Sequence, residues 1–156
     1  MTTPGYHSPL VITTNNTIME FTTDIFELFG GAYLGDFSKY MYQADAYGSV
    51  FYATLLLPVA VAFVYYIVLD HILLAKNSKW MMIGALTAVA STVISLIIAH
   101  TKLNGYVFMQ NIHNADIGVD DYVTFGLITF GWAALFFALF SLIFKNFSSR
   151  CRNIPF

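Results

Sequence analysis

His100 and His113, together with Asp116, Asp120 and Asp121, form the densest group of potential metal ligands in this chain. Imidazole nitrogens and hard carboxylate oxygens suit a divalent cation. Their spacing matches no established metal loop. No metal site is assigned on this basis, and His100, His113, Asp116 and Asp120 read as solvated loop residues. A second group, Asp70 and His71, closes an apolar run, with Lys76 and Lys79 a few positions on. An isolated carboxylate costs ~2.5–3.5 kcal/mol at the bilayer centre and much less near a helix end. The expectation is therefore an ion pair of Asp70 with Lys76 and Lys79, with a proton relay as the sharper alternative. Cys151 lies between Arg150 and Arg152, whose charges favour thiolate; an inert thiol is expected there, with acylation as the functional alternative. No Walker loop, dinucleotide fingerprint or nucleophile with its base is present, so no catalytic residue is assigned and the chain is not expected to be an enzyme.

The elements that must position these residues are set by three long apolar runs. Val50 to Leu69, Trp80 to Ala99 and Val123 to Phe144 contain no charged residue. At ~1.5 Å per residue, each can cross a hydrocarbon core of ~30 Å as a helix. The composition agrees: 58% hydrophobic and 17% aromatic residues against 10% charged, in 156 residues. The fold class expected is all-α, a polytopic integral membrane protein with three transmembrane helices and short amphipathic N-terminal helices. Residues 1–48 form an outer N-terminal segment, 49–146 the membrane domain (helices at about 50–72, 80–100 and 122–144), and 147–156 a basic tail. The net charge of −2 leaves no basic stripe for nucleic acid. A single cysteine excludes an intrachain disulfide framework. The opening residues lack the pattern of a cleavable signal peptide, so the first membrane helix is expected to direct insertion.

Five of the 7 basic residues, Lys76, Lys79, Lys145, Arg150 and Arg152, fall in the loop after the first helix or beyond the third. The positive-inside rule then places the N-terminus outside and the C-terminus inside, in a bacterial cell membrane or an organelle inner membrane. On the outer side, Ile18, Phe21, Ile25 and Leu28 oppose Glu20, Asp24 and Glu27, the pattern of a short amphipathic helix with an acidic face. Phe37, Tyr40, Met41 and Ala44 continue in the same manner. An acidic face suits docking on protein, or on the chain's own bundle, better than on anionic lipid.

Within lipid, small residues allow helices to approach. Gly84, Ala88, Ser91 and Ser95 on the second helix, and Gly131, Ala134, Ala138 and Ser141 on the third, form heptad-like seams expected to pack on each other with a left-handed crossing. Pro58 is expected to kink the first helix. The remaining surface of the third helix is aromatic, and Phe125, Trp132, Phe136 and Phe140 are the expected lateral contact with another protein. Tyr65, Tyr66 and Trp80 fall where interfacial aromatic belts belong.

Ser95 to His100, followed by Asp121-Tyr122-Val123, loosely resembles the membrane-anchor subunits of succinate dehydrogenase. Those have three helices, a haem-ligating histidine on the second, and an Asp-Tyr pair near the quinone before the third. The resemblance implies haem at His100 and quinone near Tyr122. The interval from His100 to Asp121 is longer than that family's, and the charge-based topology is reversed. The leading expectation is a non-catalytic subunit that anchors, scaffolds or stabilises a larger membrane complex. Its partners are other membrane subunits and lipid, and it has no assigned cofactor. A homo-oligomeric pore lined by Thr87, Ser91, Thr92 and Ser95 is the runner-up, and the haem or quinone anchor the third.

Overall fold

The computed structural model describes residues 21–26, 34–69, 77–110 and 117–148. Among these the structure is helical, with no strand. Residues 21–26 form a helical turn. Helix α1, Asp36–Gln43, follows, and α2, Ala46–Phe63, runs without interruption into a π-helical turn, Val64–Leu69. Helix α3 is Asn77–Met109, and α4 is Val119–Phe144, closing in a 3₁₀ turn at Lys145–Phe147. Three stretches, Ala46–Val68, Asn77–Met109 and Val119–Phe147, are long and apolar enough to span a membrane. The chain is a multi-pass membrane protein by length and composition.

Cross-helix contacts fix the order of levels. Val50 clusters with Ala99 and Leu103, Thr54 meets Ser95, and Tyr65 and Tyr66 pack against Trp80 and Ile83, so α2 and α3 are antiparallel. Gly126 lies against Leu96, a Cβ at Gly84 would touch Phe137, and Trp80 bonds Ser141, so α3 and α4 are antiparallel as well. The twenty residues from Trp80 to His100 measure ~30 Å along α3, one hydrocarbon thickness. A hydrocarbon slab of that thickness would run from the level of Trp80, Tyr65 and Ser141 to that of His100 and Tyr122.

At 33 residues, α3 is ~50 Å long and exceeds that slab. Its last nine residues project ~13 Å beyond His100. This end is not bare. Phe37, Tyr40 and Met41 of α1, Phe26 of the first helical turn and Tyr47 of α2 close with Ala99, Leu103 and Phe125 into the main buried cluster. The chain turns from α1 into α2 through Asp45, which takes a left-handed conformation (φ 50°), one that Asp tolerates better than most side chains. The first helical turn is rotated from its expected face. Thr22 and Phe26 are buried, whereas Phe21 is 59% exposed and meets Phe51 edge to face. Ile18, Glu20, Glu27 and Leu28 lie outside the described residues.

At the opposite boundary the π-helical turn widens the helix so that consecutive residues, Tyr65 and Tyr66, both face inward. Their rings stand edge to face at 4.9 Å and pack against Trp80, Ile83 and Phe144. They belong to the protein interior and not to an interfacial belt. Pro58 is buried within α2, which continues through it as one helix.

Candidate functional site

Serine and threonine hydroxyls inside the bundle are engaged by neighbouring helices or by their own. Thr54 Oγ1 and Ser95 Oγ share a buried hydrogen bond of 3.0 Å, and Ser91 Oγ donates to the Ala53 carbonyl at 3.4 Å. Thr87 and Thr92 donate to the carbonyls of Ile83 and Ala88 on their own helix. The positions expected to line a pore therefore point into the monomer or back onto the helix. Trp80 Nε1 donates to Ser141 Oγ at 3.1 Å, and the Phe137 ring fills the space that Gly84 leaves.

Gly84, Ala88, Ser91 and Ser95 are all buried, as a packing face must be, but Ser91 and Ser95 face α2. The expected partner seam on α4 is displaced. Gly131 is exposed with nothing within 4 Å of a Cβ built there, and Ala134 and Ala138 are only partly covered. The buried face runs through Phe125, Thr129, Ala133, Phe137 and Ser141. These residues step by four, a period longer than 3.6, which favours a right-handed seam over the left-handed one expected. The physical reason is Phe137: its ring inserts over Gly84 and turns α4 so that Gly131 faces outward.

The aromatic side chains expected to meet a partner divide accordingly. Phe125 is 2% exposed and packs on Phe26, Phe37 and Tyr47, so it is unavailable for lateral contact. Phe136 lies edge-on to Phe51 and stacks with Trp132. Trp132 and Phe140 remain partly exposed.

At the boundary where α3 leaves the slab, the fold brings His100 and Tyr122 together. His100 Nδ1 is 3.4 Å from Tyr122 Oη, and His100 Nε2 is 2.9 Å from Asn104 Nδ2, one turn along α3. With the Asn104 amide donating to Nε2, the neutral ring carries its proton on Nδ1 and donates to the phenol oxygen. The phenolic O–H is then free to donate to a third group. Tyr122 is held from its other side by Phe37, edge to face at 5.1 Å. Because both imidazole nitrogens are engaged, iron at His100 would have to displace Asn104 or Tyr122. Asp121, next in sequence, caps α4 by accepting from the Gly118 N–H at 2.9 Å, and Asp120 and Asp121 sit at the positive end of the helix dipole.

Two hollows flank this end of α4. A polar cleft of about 340 Å³ is lined by Leu34, Gly35, Asp36, Gly118, Asp120 and Asp121. An apolar groove of about 420 Å³ on the outward face of α4 is lined by Thr124, Leu127, Ile128, Gly131, Trp132 and Leu135.

Among the described residues no three metal-ligating side chains come together. Of the metal candidates, His100 and Asp120 are described and exposed, while His113 and Asp116 lie outside the described residues. Of the proposed ion pair, Lys79 is exposed at the start of α3, and Asp70 and Lys76 lie outside the described residues. Asn104 is the site residue that sequence reasoning missed; its position four residues after His100, one helical turn on, was the available signal. No protein-family model matches this chain, and no curated protein or solved structure is significantly similar to it.

Proposed function

We propose that this chain is a non-catalytic integral membrane subunit that anchors and stabilises a larger membrane complex, with its N-terminus outside and its C-terminus inside. The observation that carries the reading is the buttressed end of α3. Its last turns, beyond the apolar run, present Phe108 and Met109, 86% and 84% exposed, and Val119 at the start of α4 is 80% exposed. Large apolar side chains held on a packed platform outside the lipid suit a protein contact. The test is native mass spectrometry after mild-detergent extraction from the source membrane. Stoichiometric copies of other chains are expected, and a homo-oligomer without them would overturn the reading.

A second reading, a redox anchor that places a haem or quinone at this boundary, is favoured by one observation, the His100–Tyr122 pair bridging α3 and α4. At a membrane surface such a pair offers a hydrogen-bond donor to the polar head of an amphipathic ligand. A Soret band in the purified complex that is lost in His100→Ala would support haem, and a colourless complex would count against it. The pore reading draws no such support, because Ser91 and Ser95 are committed to α2.

A further inference from the structure

We infer that the outward face of α4 is the docking site for a single transmembrane helix of a different chain, one that carries Lys or Arg at the end level with Asp120. This rests on the subunit reading and names the face and the chemistry of the contact. Asp120, Thr124, Leu127, Gly131 and Leu135 are spaced 4, 3, 4 and 4 apart and so share one side of α4, opposite its buried face. Along that side the apolar groove begins at Thr124, one helical turn from Asp120, which lines the polar cleft together with Asp36.

Three features define the occupant. Gly84 and Gly126 each face a side chain of this chain, Phe137 and Leu96, whereas Gly131 faces none. An open glycine amid larger neighbours admits the close backbone approach on which helix pairing in lipid depends. The carboxylates of Asp36 and Asp120 have no basic partner among the described residues, so a cation at that level complements them. The same charge disfavours a second copy of this chain. A two-fold contact centred on Gly131 would set each Asp120 near its own counterpart, and like charges there repel.

The experiment places a photo-crosslinking amino acid at Leu127 or Leu135 in the full chain, expressed in its own membrane. The same group at Leu86 or Val93, exposed positions of α3, is the control. Leu127 and Leu135 are expected to yield one polypeptide adduct. Its mapped segment should be an apolar span ending in Lys or Arg, while the controls yield lipid adducts. D120N should weaken the adduct and D120K abolish it, and G131L, which fills open space, should abolish it without loss of folded protein. Lipid adducts from the groove, an adduct to a second copy, or a mapped span without a basic end would each overturn the proposal. Other chains co-purifying while the groove marks only lipid would sink this docking face and leave the subunit reading standing; no other chain co-purifying would sink both.

Discussion

At the scale of single residues, the contrast between Gly84 and Gly131 is the most direct test of how the bundle is closed. A methyl group at Gly84 would lie 2.8 Å from the Phe137 ring, whereas one at Gly131 meets nothing. Gly84→Ala is expected to destabilise the bundle by ~1–3 kcal/mol, the usual range for overpacking. Gly131→Ala should leave stability within ~0.5 kcal/mol, as surface substitutions do. Reversible unfolding in mixed micelles measures both, and equal effects would contradict the packing described. Sequence alone could not separate these glycines, since both lie amid alanines and serines at helical spacing. The distinction depends on where the Phe137 ring goes, which is a property of the assembled bundle. The meeting of His100 with Tyr122 was more legible, because each residue marks the same end of its helix once the spans are drawn.

At the scale of elements, the polar clasp between α2 and α3 has a definite expected magnitude. Thr54→Val leaves Ser95 Oγ without this partner in a dry interior, and should cost ~0.6–1.7 kcal/mol, as interhelical hydrogen bonds in bilayers do. No measurable change in unfolding would show that the hydroxyls find other partners. The three spans themselves could be read from sequence because lipid tolerates few charges, so an uncharged run marks the slab directly. Where α3 leaves the slab, that signal stops while the helix continues through Thr101, Lys102 and Asn104 to Met109. Hydropathy registers the membrane, not the helix, so the last turns were not visible. The inward-facing tyrosine pair was hidden for a related reason. Neighbouring residues differ by 100° on a regular helix, and only the π-helical turn at Val64–Leu69 lets both face inward.

For the whole molecule, the levels of the three helices predict which positions water reaches. A cysteine at Asn104 should react with a membrane-impermeant maleimide added to intact cells or organelles, whereas one at Val93 should not. Native Cys151 should react only after the membrane is opened. Labelling of Cys151 from outside, with Asn104→Cys protected, would reverse the orientation proposed from the placement of lysine and arginine. Helix α3 carries a further consequence. Its length is buttressed at one end by α1 and the first helical turn, with charged Lys102 just past one boundary and Lys79 just past the other. A lone helix meets a thicker membrane by tilting, but a post braced in this way resists tilt. Unless the bundle tilts as one body, the lipid adapts to the protein, stretching or thinning around it to match its ~30 Å apolar length. The chain would then gather in the compartment whose bilayer already has that thickness.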